Sequence, residues 1–469
     1  MRNLVLVCLD AVRKDVFDEY ATRLRDRADV EYRQCRAASG WSVPSHASMF
    51  TGRLPHQHGI HTFDRDFSTL DRGDTFLDEL PDHRALGASA NVYASEAFGF
   101  DGLFDAYRSV SPDRRFHEGM DIERWGQECE ETGVARYLAF LRAALGHDRP
   151  VRSLANGALV ELDRVMADLP FAKPFDDGGR IVAREARRLV DGTPEPFVLF
   201  TNFMDVHGPL TPVRAYDDTF HDAPASWSSR AFDGRAVEYG ELDGIRDDVT
   251  HHRSLFNAAT EYLDRVVTDL VADIRDRTDR ETTVVVTADH GENLGHEADD
   301  RLFAHRSGLT EGLLHVPMVV LNAPNAGSER TVVDGYVSHL RLGDLLVGLA
   351  NGRLPDVTET VIAAERVGFN VPVDPDARSL RDEDRMLRVA YENGTKYQWD
   401  SLDNAEQYRF DPDRPSWQTR VTTGVDVDRF ESALFDVPVD VYRRKAEADG
   451  TENAVDGVVA ERLADLGYR

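Results

Sequence analysis

The chain has 469 residues, a hydrophobic fraction of 41% and a formal net charge of −29. That length allows one large domain with a smaller companion, and that apolar content excludes wholesale disorder. The charge disfavours bulk nucleic-acid binding and an anionic membrane surface, since each needs a basic patch.

Leu4 to Leu9 is an apolar run that ends at Asp10. It reads as a buried strand presenting a carboxylate at its C-terminal end. Trp41-Ser42-Val43-Pro44-Ser45-His46-Ala47-Ser48 is a hydroxyl-rich turn suited to carrying a nucleophile, and residues 48–60 predict a short helix ending at Gly52. Asn91 to Ala94 is a candidate second strand. Residues 115–190 recur near the helical period and form an insertion suited to shaping substrate access. Within it, Arg180 to Val190 predicts an amphipathic helix stopped by Asp191-Gly192-Thr193-Pro194. A strand at Phe197 to Phe200 follows and leads into Asn202-Phe203-Met204-Asp205-Val206-His207-Gly208-Pro209.

Residues 215–250 are polar and predict loops, whereas Leu255 to Ile274 predicts a helix with Leu263, Val267, Leu270 and Ile274 on one face. Thr283 to Thr287 predicts another buried strand, ending in Ala288-Asp289-His290-Gly291-Glu292, and Val316 to Leu321 predicts one more. The alternation implies an α/β fold over residues 1–355, a mainly parallel sheet sandwiched by helices. Arg388 to Trp399 reads as a hairpin on Asn393-Gly394. Residues 356–469 are assigned to a small C-terminal α+β domain with a closing helix near 453–466.

Lysine is confined to Lys14, Lys173, Lys396 and Lys445, so arginine supplies almost all positive charge. A protein that stays hydrated in concentrated salt, where screening shortens self-repulsion, has this balance. A halophilic, archaeal, cytoplasmic chain is therefore expected, with an acidic protein from a GC-rich genome as the alternative. Cys8, Cys35 and Cys129 show neither pairing nor metal-ligand spacing, so no disulfide framework is implied. The first apolar run is interrupted by Asp10 before it reaches signal-peptide length, and no later run approaches a membrane span.

Strand ends that carry Asp10, Asp289 and His290 suit one divalent cation, because ligands in α/β sheets bind at the carboxyl ends of strands. Two carboxylates favour a hard ion such as Ca²⁺, Mg²⁺ or Mn²⁺, and the imidazole admits Zn²⁺. Such a site cleaves anionic esters when a nucleophile and basic groups accompany it. Ser42 supplies the nucleophile, and His46, Arg53, His207, His296 and His305 are candidates for the basic groups.

These stations, in this order, resemble the sulfatase family of the alkaline phosphatase superfamily. They are the strand to Asp10, the Ser42-Val43-Pro44-Ser45 turn, Thr51-Gly52-Arg53, Phe203 to Pro209, Ala288 to Glu292, and Glu311 to Pro317. The resemblance covers about the first 350 residues. It implies an alkaline phosphatase/sulfatase-like fold, a metal on Asp10, Asp289 and His290, and Ser42 at the nucleophile position. By the same resemblance His207 contacts the substrate oxyanion and His296 lies at the position of a leaving-group acid; of the remaining basic candidates, His46, Arg53 and His305 are assigned to substrate binding. Members that use formylglycine carry Arg where this chain has His46, so an unmodified serine is expected here. A serine alkoxide turns over phosphate esters more readily than sulfate esters, and the family's second Asp is here Ala11. The implied substrate is a small anionic ester, with a glycan or a lipid head group as its carrier. A phospho-group transferase, resembling phosphoglycerol transferases, and a catalytically silent binding protein are the alternatives.

Overall fold

The computed structural model describes residues 1–111, 114–129, 131–167, 171–369, 384–411, 413–450, 455 and 457–466. Strand β1 (Asn3–Leu9) is buried at every position. Helices α1 (Lys14–Tyr20) and α2 (Thr22–Asp26) lead to β2 (Val30–Arg36). Helix α3 (Ser42–Thr51) and the one-turn α4 (Pro55–His58) precede β3 (Arg84–Ser89) and β4 (Ala106–Ser109). Four helices follow: α5 (Ile122–Glu128), α6 (Gly133–Gly146), α7 (Pro150–Ala167) and α8 (Gly179–Asp191). The chain then runs through β5 (Phe197–Phe203), α9 (Gly234–Glu238), α10 (Arg246–Arg277) and β6 (Thr282–Thr287). Next come α11 (Glu311–Leu314), β7 (Met318–Leu321), β8 (Thr331–Ser338) and α12 (Leu342–Ala350).

These eight strands form one sheet in the order β4-β3-β5-β1-β6-β7-β2-β8. Strand β1 runs parallel to both of its neighbours, Leu4 to Leu9 beside Val198 to Phe203 and Asn3 to Cys8 beside Thr282 to Thr287. Strand β7 runs against both β6 and β2, which makes the sheet mixed. Helices cover its faces, so the central strands are near-continuous apolar runs with no polar alternation.

A second sheet of β9 (Val361–Val367), β10 (Met386–Glu392), β11 (Thr395–Asp400), β12 (Ala405–Phe410) and β13 (Gln418–Thr423) is antiparallel throughout. Asn393 and Gly394 turn the β10–β11 hairpin with positive φ of 49° and 73°, the conformation that a two-residue hairpin favours. Helices α13 (Asp428–Leu434), α14 (Val439–Asp449) and α15 (Gly457–Asp465) follow. Of the closing helix expected near 453–466, residues 453, 454 and 456 lie outside the described residues.

Three expectations change. Asn91 to Ala94 is not a strand; the strand is β3, whose small residues Ala85, Gly87 and Ala88 give a weak apolar signal. Gly87 is required there, because a Cβ would come within 2.3 Å of the Tyr107 ring. Asn91 instead accepts the amides of Tyr93 and Ala94 at 2.8 and 3.3 Å, a local side-chain bond that favours a turn. The helix before Gly52 begins at Ser42, not at residue 48. The 215–250 stretch contains α9 and the first turns of α10, where Asp247 and Asp248 favour a helix N-terminus.

Candidate active site

Three adjacent parallel strands deliver chemistry to one sheet edge. Asp10 follows β1, and its amide bonds the Phe203 carbonyl at 2.9 Å. Asn202 lies in β5, with Asp205 and His207 just beyond it, and Asp289 and His290 follow β6. Asp10, Ser42, Asp289 and His290 are all fully buried.

Each carboxylate spends one oxygen on hydrogen bonds and leaves the other bare. Asp10 Oδ2 accepts Asn91 Nδ2 at 2.7 Å and Asn202 Nδ2 at 3.3 Å, while Oδ1 has no partner. Asp289 Oδ1 accepts the amides of Ala11 at 3.3 Å and His290 at 3.0 Å, while Oδ2 has no partner. Ala11 takes a φ of 62° to do so, a strained conformation for a residue with a side chain. His290 Nδ1 donates to the Gly291 carbonyl at 2.7 Å, which leaves the Nε2 lone pair facing the two carboxylates. One atom from each of Asp10, Asp289 and His290 lies within 4.8 Å of the other two. Among the described residues neither carboxylate is paired with Arg or Lys. Two buried anions with bare oxygens need a cation, so this donor set fits a divalent metal ion. Burial, then the neighbouring His305, pushes the His290 pKa down to about 3, which keeps the ring unprotonated and able to ligate.

Ser42 is the first residue of α3, and its hydroxyl reaches His290 Nε2 at 3.3 Å and Asp10 Oδ2 at 3.5 Å. Free amides of the first helical turn favour developing negative charge there. His46, one turn later, lies beneath it. Its Nδ1 donates to the Ser42 carbonyl at 2.8 Å, its Nε2 accepts Asn202 Nδ2 at 3.1 Å, and its ring sits between Phe100 and Phe200. Cys8 Sγ, His46 and Asp289 also lie within 4.8 Å of one another, on the inner side of the same cluster.

A cavity of about 350 Å³ opens beside this cluster. His207, His252, Glu292, His305, Arg230 and Arg306 line it, with Phe232 and Phe303. A file of imidazoles joins the cavity to the carboxylates: His207 and His305 rings lie 5.0 Å apart, His305 and His290 rings 4.6 Å. Burial holds His305 well below the ordinary histidine range and raises the Glu292 carboxyl above its own; the two share contacts of 3.1 Å.

Two expected site residues sit elsewhere. Arg53 is half-exposed and pairs with Asp74 at 3.3 Å, a surface contact that the sequence could not distinguish from a substrate clamp. His296 begins a short helical turn and packs on the Trp417 ring at 6.2 Å, outside the cavity lining. Burial and the Arg13 guanidinium lower its pKa to about 4. Asn91 and Asn202, which orient Asp10, were not expected; Asn202 at the carboxyl end of an apolar strand was the available signal. Arg13, fully buried, bonds Asp299 at 3.0 Å and the Glu292 carbonyl at 2.7 Å and so braces the loop after β6.

Residues 168–352 match the sulfatase family profile. A sulfatase of Escherichia coli K12 described as uncharacterized is 25% identical over 185 residues, which span 36% of this chain and 35% of that protein. The phosphonate monoester hydrolase of Agrobacterium radiobacter superposes with a TM-score of 0.60 at 15% identity, over 100% of this chain and 95% of that one. A 2-O GAG sulfatase superposes with a TM-score of 0.56 at 14% identity, over 98% and 96%. At such identities the likeness to solved structures is one of fold. The chain is thus similar to the sulfatase family over residues 168–352, and its fold as a whole is similar to those solved structures.

Proposed function

We propose that this chain hydrolyses small anionic esters, phosphate esters ahead of sulfate esters, with Ser42 as nucleophile. The observation that carries the reading is the position of the Ser42 hydroxyl, at the first turn of α3 and within 3.3 to 3.5 Å of His290 and Asp10. A divalent cation held by Asp10, Asp289 and His290 would offset substrate charge and lower the pKa of the Ser42 hydroxyl. Ser42 Oγ then bonds to phosphorus as the ester oxygen leaves with a proton. Water later displaces the serine oxygen and returns the chain to its starting state. His207 and His305 line the cavity where the non-bridging oxygens and the leaving group would lie. His207 Nδ1 donates to the Gly208 carbonyl at 2.7 Å, which fixes the ring at the cavity wall. Arg230 and Arg306 supply positive charge at the rim for an anionic carrier.

His46 supports an unmodified serine. Its two nitrogens are fixed by a carbonyl and an amide, and its ring is enclosed by aromatic side chains, so it offers no guanidinium to a modified residue. Intact-mass analysis of position 42, with Ser42→Ala assayed on aryl phosphates and aryl sulfates, tests the proposal. Unmodified serine, faster phosphate ester cleavage and near-total loss in Ser42→Ala are expected. A loss of about two daltons at residue 42, the mark of a serine oxidised to an aldehyde, would return the chain to sulfate ester chemistry.

A further inference from the structure

Helices α6 and α7 form a hairpin on the outside of the fold. Its inner side is anchored: Ala144 is fully buried, Phe140 packs on the Trp125 ring at 5.5 Å, and Gly157 admits the Phe140 ring where a Cβ would come within 2.1 Å. Ser153 bonds the Met120 amide at 2.9 Å and Asn156 bonds the Phe116 amide at 2.8 Å, tying α7 to the body. The outer side of α6 is bare. Val134, Leu138, Leu141 and Leu145 recur at spacings of one helical turn, and their exposures are 76, 63, 44 and 64%. Val151 at the start of α7 is 78% exposed. Soluble surfaces rarely leave so many large apolar side chains in one stripe, so something covers it.

Local charge identifies the cover. The chain has 84 acidic against 55 basic residues, yet residues 133–152 contain four arginines and one acid, Asp148; Arg136 lies over the Trp125 ring and Arg152 pairs with Glu118, whereas Arg142 and Arg149 are exposed. A second copy seated on the same stripe would bring like charges together across a two-fold contact, which disfavours self-association. An anionic lipid surface meets both features, apolar side chains entering the acyl boundary and arginines at the headgroups. The hairpin also encloses an apolar cleft of about 830 Å³ between α5, α6 and α7, lined by Trp125, Phe140 and Leu154 with Arg136 beside them. Glu131 is exposed just before α6, so the contact centres on Leu138 to Val151, away from that acid. The remaining negative charge acts weakly here, since fields are screened beyond about 10 Å at 0.1 M salt.

We propose that the α6–α7 hairpin is an interfacial anchor that seats this protein on anionic lipid membranes without crossing them. The reading is independent of the catalytic assignment. The test is flotation of the full chain with phosphatidylcholine vesicles, with or without phosphatidylglycerol, across a salt series, for wild type and Leu138→Glu/Leu141→Glu. Both positions are exposed, so the variant should fold and keep wild-type cleavage of a soluble ester. Binding to phosphatidylglycerol vesicles that weakens with salt and falls at least tenfold in the variant supports the anchor. Absence of binding by wild type at low salt overturns it, and so does binding that the variant retains. A wild-type dimer that the variant converts to monomer, without vesicle binding, overturns it in favour of a second copy.

Discussion

Asp289→Asn probes the candidate metal centre through stability, without reference to turnover. Ligand atoms of Asp10 and Asp289 lie within 4.8 Å of each other and both residues are fully buried. At that separation and an effective dielectric of about 20, two like charges repel by roughly 3 kcal/mol. An asparagine keeps an Oδ1 for the amides of Ala11 and His290, and puts a neutral amide where the bare Oδ2 stood. In chelator, the variant should therefore be the more stable protein, by up to about 3 kcal/mol. With a divalent cation the order should reverse. Wild type gains about 2.7 kcal/mol at a hundredfold excess over the dissociation constant, and the variant, short of one ligand, gains little. Thermal melts in EDTA and in Mg²⁺, Mn²⁺, Ca²⁺ or Zn²⁺, for both proteins, give the four corners of the comparison. A variant that melts below wild type in EDTA, with a wild type indifferent to every cation, would refute the reasoning.

Arg13→Met should cost roughly 3–5 kcal/mol, since it strands the buried Asp299 carboxylate; denaturant titration measures it. Gly52→Ala should cost roughly 1–3 kcal/mol, because φ there is 67° and the new Cβ would lie 2.9 Å from the Leu340 carbonyl oxygen. His56 lies between Glu365 at 2.8 Å and Asp436 at 2.7 Å; burial opposes its charge, but the two carboxylates together outweigh it and raise the His56 pKa. Its stabilising contribution is complete below the ordinary histidine value and is lost as pH rises through the raised one. Melting temperature should fall over that window in wild type and change less in His56→Gln. The −29 charge predicts a higher melting temperature in molar salt than in dilute buffer; equal values would remove the halophilic reading.

Strand ends were the most legible part of the sequence. Asp10 and Asp289 each close an apolar run, and β1 and β6 lie side by side with both carboxylates at one edge. Ser42 was legible from its hydroxyl-rich turn. What the sequence concealed depends on which side chains a fold turns toward each other. Arg53 follows a glycine-terminated helix, as a substrate clamp would, yet its helix end points it to Asp74 at the surface. His296 is a few residues beyond Asp289 and His290, but the loop braced by Arg13 and Asp299 carries it toward Trp417. Strand β3 was hidden because its small residues make room for Tyr107, and small residues carry little apolar signal.

The order β5-β1-β6 has a consequence for any fragment of this protein. The stretch that carries the family match, residues 168–352, includes Asp289, His290 and His207 but neither Asp10 nor Ser42. Strand β1 is the middle strand of the three, so a chain lacking its first residues would lose a candidate ligand and also the partner that holds β5 and β6 together. During folding, cation affinity would then emerge only once the amino-terminal strand has threaded between two strands made some two to three hundred residues later. An ion held by that donor set would act as a lock on the completed sheet, and its release would accompany the opening of that central strand.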